Sequence, residues 1–346
     1  MLDYLIRRIL IMIPTLFGVT IVVFFIINLA PGSPVEQKLQ ALRFGGMGQQ
    51  TQGVESASSN RDSSGISQEV IDALNKQYGF DKPIHIRYWI WIKNLVRFDF
   101  GESFTYEEPV TDVIMSKFPV SLQFGVISIF LSYLICIPLG LIKAVKNGTK
   151  WDLVSSFVLF VMYSVPGFML GILLIVFFAG GNFLEWFPVG DLYSDLYEDL
   201  TFWGKIQDRV HHFILPLISY MIGSFTVLTM LMKNSLLDEI SKDYIRTARA
   251  KGVSEKMIYL RHGLRNALIP IVTGLGGFLT IFFAGSLLIE MIFNLDGIGL
   301  MSYQAVLERD YNLIMGSVFI QSVLMLVGNL ISDIAYTVVD PRIDFK

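Results

Sequence analysis

The chain has 346 residues, 53% of them hydrophobic and only 16% charged, with a mean hydropathy of +0.55. Soluble chains carry about 25% charged residues, and one soluble domain of this length cannot hide so much apolar surface, which points to a polytopic membrane protein. The net charge of −3 argues against a broad basic surface for nucleic acid, and the single Cys136 leaves no internal disulfide and no basis for a Cys-based zinc site.

A spanning helix needs about 20 mostly apolar residues. Six stretches qualify, at roughly 9–29, 121–142, 153–178, 213–232, 267–290 and 313–335. The first follows Arg7 and Arg8 as a signal peptide would, but its run is longer than a signal core and no A-x-A site follows. It reads as an uncleaved helix, so 1–29 forms an N-terminal span.

Residues 30–120 form a long external segment. Its stretch 45–65 has five Gly, five Ser and no aromatic, a composition that cannot bury enough to order itself. Ser67 is placed to cap a short helix that Gly79 ends. In 80–104, Tyr88, Trp89 and Trp91 mark an amphipathic helix. Two readings stand for it: a helix lying at the outer headgroup level, or the core of a small external lobe.

The third span carries Pro166-Gly167 near its middle, a candidate kink on a translocation path; Gly285 and Glu290 of the fifth are further candidates. Close helix packing is the plainer explanation for the glycines. The external segment 179–212 is acidic, either a solvated loop or a docking surface. Its adjacent His211 and His212 point to different helix faces, which argues against a metal pair. Glu290 and Asp333 are the acidic residues left for the membrane, and both lie close to span ends. Neither sits like a mid-bilayer relay, which counts against a proton-coupled carrier.

With the N-terminus inside, segments 1–8, 143–152, 233–266 and 336–346 are cytoplasmic and hold 15 of the 27 basic residues. Both termini are therefore expected in the cytoplasm. The loop 233–266 is far longer than a hairpin requires. A helical pattern runs to Lys251, and Gly252 is placed to end it in the left-handed conformation. Ser254 is placed to cap a second helix with Glu255 in its first turn, and Gly263 to close it. That helix, 253–262, presents Met257, Ile258 and Leu260 beside Lys256 and Arg261. It suits docking into a protein groove, the alternative being a basic loop on lipid headgroups. No Walker-type G-x-x-x-x-G-K-[ST], H-E-x-x-H or G-x-S-x-G occurs.

YIRTARAKG, 244–252, resembles the EAA loop of the permease subunits of ATP-binding cassette importers of the dipeptide, oligopeptide and nickel family. YLIRRILIMIPTLFGV at 4–19, YGFDKPIHIRYWIW at 78–91, FDFGESF at 98–104, the stretch 285–316 and DIAYTVVDPRI at 333–343 are similar to its B-type subunit. The Gly/Gln/Ser insert and the ending DPRIDF are most similar to the Yej-type peptide permeases, a class that also admits the peptide antibiotic microcin C. Arg246 and Thr247 depart from the general motif, where Glu and its first Ala stand, and Leu264-Arg265 replaces the late Leu-Pro; Ala248 and Gly252 are kept.

The resemblance implies an all-α, six-helix permease of the type I importer fold in a bacterial inner membrane. Its core of five helices would span 121–335, with a tail at 336–346. It implies no catalysis in this chain, ATP and Mg being bound by partners. Those partners are a C-type permease, two ATPase subunits or one fused double ATPase, and an external peptide-binding protein. Peptide is the implied cargo. Ala248, Gly252, Val253, Ser254, Lys256, Met257, Ile258, Leu260 and Arg261 would couple to an ATPase subunit. Asp296, Gly297, Gly299 and Asp310 would shape or contact a binding protein. The competing classes are a stand-alone carrier or channel and an intramembrane enzyme.

Overall fold

The computed structural model describes residues 2–29, 76, 81–181, 183–274 and 286–339. The insert 45–65, the expected helix from Ser67 to Gly79 apart from residue 76, and Gly285 lie outside them. Among the described residues the chain is helical, with one isolated antiparallel bridge between Glu102 and Pro109.

In chain order the helices are α1 (Leu2–Leu29), α2 (Ile84–Leu95), α3 (Val110–Val145), α4 (Lys150–Ser164), α5 (Gly167–Phe178), α6 (Phe202–Ile240) and α7 (Asp243–Ala250). There follow α8 (Glu255–Met257), α9 (Leu264–Ala267), α10 (Ile269–Thr273), α11 (Leu287–Ile292), α12 (Ile298–Leu307) and α13 (Tyr311–Val339). Helices α1, α3, α6 and α13 are long and apolar enough to cross a membrane. The expected third span is a broken pair, α4 and α5, bent by 97°. Pro166 forces this break, because it supplies no N–H and drives Val165 into extended backbone at ψ 119°. The expected fifth span, 267–290, crosses 275–285, which lies outside the described residues.

The chain divides into two compact units. The first comprises Met1–Leu10, Lys117–Met301 and Val323–Lys346. Its helices meet around α6. Phe124 of α3 stacks on Phe213 at 4.4 Å and on Tyr220 at 5.7 Å, with Ile289, Phe293 and Leu295 completing that cluster. Toward the C-terminal end of α3, Cys136 and Ala144 pack with Leu228, Met232 and Leu236 of α6. The crossing is close enough that a Cβ on Gly140 would fall 2.7 Å from the carbonyl oxygen of Thr229. Outward faces stay apolar: Leu153 is 73% exposed and Phe157 69%. Such surface belongs in lipid or against another membrane chain.

The acidic segment 179–212 is partly folded onto this unit. Asp191 N donates to the Phe293 carbonyl at 2.9 Å, and Asn294 bonds the Asp191 carboxylate. His211 turns to the Trp186 carbonyl and His212 to the Asp208 carbonyl, so the two rings serve separate partners.

The second unit comprises Ile11–Ser116 and Ser302–Ser322. Tyr88 of α2 is its centre, buried between Phe24 and Met315 with its hydroxyl 3.0 Å from Thr20 Oγ1. Trp89, the next residue along the helix, is 64% exposed. Tyr88 of the amphipathic helix thus lies in a core, as the second reading expects.

Candidate functional site

The loop expected in the cytoplasm is built on the last turns of α6. That helix stops at Ile240, and Ser241–Lys242 turn the chain into α7, a break absent from the expected single helix. Ile245 is fully buried beneath α7. At its end Gly252 N donates to Arg249 O at 2.9 Å and Val253 N to Ala248 O at 3.2 Å, the paired bonds of a Schellman turn. Gly252 takes φ +80°, as its position suggested.

Two expectations need correction. Ser254 occupies the N-cap position of α8 but its side chain makes no capping bond. Gly263 does not close the following helix. A π-helical turn, Ile258–Gly263, continues through it into α9, with Gly263 at φ −81°. Its missing side chain serves packing instead, because a Cβ there would lie 2.8 Å from Leu236 Cδ1. The extra residue in this turn widens the helix where it passes α6.

Along this segment Ile258 is fully buried, whereas Met257 is 45% and Leu260 46% exposed. Lys256, Arg261 and Ser254 are exposed as well, and Ala248 and Val253 are half-buried. The loop therefore presents Met257 and Leu260 outward, with Ile258 as its anchor.

A base of polar contacts, not foreseen from the sequence, holds the loop. Glu239 of α6 accepts from Lys242 and from Tyr244 Oη at 2.6 Å, and Asn266 Nδ2 lies 3.1 Å from the same hydroxyl. Burial raises the Glu239 pKa, but the hydrogen bonds from Lys242 and Tyr244 outweigh it and leave the carboxyl below its usual range. A second node lies at the same end of the bundle. Asp152 meets Lys233 Nζ at 2.9 and 2.7 Å and Lys143 Nζ at 3.0 Å, with Lys143 fully enclosed. Burial pushes this carboxyl up, yet the two lysines together hold it at about 2. It ties α3, α4 and α6 together.

The residues expected on a translocation path separate. Pro166 is exposed at the α4–α5 break, while Gly167 lies where a Cβ would be 2.6 Å from the Ser219 carbonyl of α6. Glu290 is fully enclosed among the described residues. Its carboxylate accepts from Ser121 Oγ at 2.9 Å, Tyr220 Oη at 3.3 Å, Ser286 N at 3.2 Å and Leu300 N at 2.8 Å. Gly297 and Gly299 lie against it, where a Cβ would come within 2.6 and 3.0 Å of its oxygens.

Of the residues expected to meet a binding protein, Asp296 is outward and paired with Lys117. Asp310, in the second unit, is fully buried. It accepts from Ser103 Oγ, Thr105 N at 3.1 Å and Leu313 N at 3.0 Å, so it caps α13 and offers no atom to a partner. Among the described residues no group of three or more His, Cys, Asp or Glu side chains is arranged to hold a metal ion.

Residues 136–345 match the family described as binding-protein-dependent transport system inner membrane component. Over 99% of both chains, the protein is 44% identical to the inner membrane ABC transporter permease protein YejB of Escherichia coli O157:H7. It is 45% identical to the peptidoglycan transport system permease protein YejB of Agrobacterium fabrum strain C58, over 99% of this chain and 98% of that one. To the oligopeptide transport system permease protein AppB of Bacillus subtilis strain 168 it is 36% identical over 100% of both. With its apolar helices and its braced loop after α6, the chain belongs to the family of inner membrane components of binding-protein-dependent transport systems.

Proposed function

We propose that this chain is the permease subunit of an ATP-driven importer that carries peptides inward, with both termini in the cytoplasm. The observation that carries the proposal is the loop after α6. Its base is fixed by Glu239 and Tyr244, and it holds Met257 and Leu260 exposed on a short helix beyond a left-handed turn. Two apolar side chains ringed by Lys256 and Arg261 suit a cleft in another protein.

In this reading a C-type permease completes the membrane pathway. Two ATPase subunits, or one fused double ATPase, bind ATP and Mg, and an external protein delivers the peptide. Closure of the ATPase pair pushes on the segment from Val253 to Arg261. The Schellman turn and the Glu239 base pass that displacement to α6, around which the first unit is assembled. Nothing in this step makes or breaks a bond within the chain. Peptide as cargo rests on the relatives' names, and the name of the Agrobacterium relative adds peptidoglycan fragments to the cargoes worth testing.

The test is reconstitution in liposomes with the second permease, the ATPase and the binding protein. Uptake of labelled oligopeptide or muropeptide should require ATP and every component. Uptake by this chain alone would instead revive a stand-alone carrier.

A further inference from the structure

Two cavities in the second unit share one face of α1 and differ in chemistry. One, of about 330 Å³, is lined by Lys76, Lys82 and Arg87 beside Trp91, with Asp99 its one carboxylate among the described residues. The other, of about 300 Å³, is lined by apolar side chains of α1 and α2 and by Val96, Phe98 and Phe319, with Thr20 its one polar residue among those described. On α1 the apolar cavity takes positions 13, 16, 17 and 20, and the basic one 24, 27 and 28. This is the spacing of a single helix face. On α13 the order repeats, with Tyr311 and Met315 in the basic cavity and Phe319 in the apolar one. Tyr88 stands between the two, its ring 5.1 Å from Phe24 and 6.1 Å from Phe17.

We propose that this face seats an anionic phospholipid, its phosphodiester against Lys76, Lys82 and Arg87 and one acyl chain in the apolar cavity. Charge favours it: among the described residues three cations and one carboxylate line the basic cavity, and Asp99 Oδ1 already accepts from Gly101 N at 2.9 Å. Depth favours it as well. The basic cavity lies at the end of α1, by Asn28, where Trp91 also suits the headgroup level, and the apolar cavity lies one to three turns further in. A soluble anion would fill the first cavity and leave the second empty, whereas an amphiphile uses both. The proposal draws on the reading above for the leaflet alone, and its test needs no transport partner.

The experiment is native mass spectrometry of the purified full chain in neutral detergent. Phosphatidylglycerol, phosphatidylcholine and the headgroup fragment glycerol phosphate serve as probes. Phosphatidylglycerol should be retained at least about tenfold over phosphatidylcholine, and Lys76→Ala with Lys82→Ala should abolish that preference, each lysine contributing about fivefold. Both lysines are exposed, and the double replacement by Arg should keep binding. Leu16→Trp, which fills the apolar cavity, should weaken retention of both lipids. Equal retention of the two lipids, or unchanged binding in the Ala or Trp variants, would overturn the proposal. Displacement of the lipid by glycerol phosphate at equal concentration would also overturn it, marking the basic cavity as a site for free phosphate.

Discussion

Arg249 and Glu255 close a bidentate ion pair across the left-handed turn at Gly252, with Nε 2.7 Å from Oε1 and Nη2 3.2 Å from Oε2. The fork geometry sets the direction in which α8 leaves α7. Both side chains are exposed, so the pair adds little to global stability. Arg249→Ala or Glu255→Ala should leave thermal unfolding of the assembled complex unchanged. Hydrolysis should then lose its stimulation by loaded binding protein, and the exchange Arg249→Glu with Glu255→Arg should restore it. A change in melting without a change in stimulation would remove the pair from the coupling path.

Gly252 offers a cleaner separation of folding from force transmission. A Cβ there meets nothing within 4 Å, so a substitution is opposed by φ +80° alone. A β-branched side chain in that conformation costs about 1–2 kcal/mol, whereas Asn tolerates it. Gly252→Val should reach normal abundance yet abolish uptake, and Gly252→Asn should transport. Met257→Asp, at an exposed position, should assemble and fail in the same way if an apolar cleft receives it. Uptake and hydrolysis in reconstituted complexes decide between these outcomes; two variants transporting like the parent would make the loop a basic tether on lipid.

The Asp152 node predicts a pH dependence with a definite sign. The folded carboxyl sits at about 2 against an ordinary 3.8, so its contribution to stability is complete above about pH 4 and is lost as pH falls through 2. Helix content followed by circular dichroism should decline across that window. Asp152→Asn leaves Lys143 and Lys233 as neighbouring buried cations, which should cost about 3 kcal/mol at neutral pH and remove this part of the acid response. An unchanged acid profile in the variant would show that other carboxyls govern it.

The sequence displays what depends on composition or on one residue's own backbone. Apolar runs reveal α1, α3, α6 and α13, though not how far α3 and α6 extend past those runs. Gly252 was readable because a left-handed turn selects glycine locally. Gly263 was misread because a glycine chosen for contact with Leu236 looks the same in sequence as one chosen for φ. Pro166 signalled a disturbance, but the 97° bend depends on what α5 packs against, including the Ser219 carbonyl under Gly167. Pairings such as Lys233 with Asp152, 81 positions apart, leave no local mark.

Glu290 and Gly297 supply the most demanding prediction, because the sequence offers Glu290 both as a packing or interface residue and as a candidate on a path, and in the fold it fastens several segments together. Its carboxylate receives four donors, and one of them, Leu300 N, belongs to the first turn of α12, where a negative charge is favoured. Ser121 carries the link further by accepting from Ile298 N at 2.8 Å while donating to Glu290. In either orientation Glu290→Gln must set its amide N–H₂ against a backbone N–H, of Ser286 at one oxygen position or of Leu300 at the other, since of the four partners only the hydroxyls can turn to accept. That mismatch should cost about 1–3 kcal/mol. Gly297→Ala should disturb the same place from the other side, since its Cβ would lie 2.6 Å from Glu290 Oε1 and from Ser121 Oγ. Both variants should lower the melting temperature of the complex and raise amide exchange across 294–300, and their effects should fall short of additivity because they break one cluster. A carboxylate lining a path would behave otherwise: Glu290→Gln would then alter cargo preference or uptake while melting and exchange stayed as in the parent.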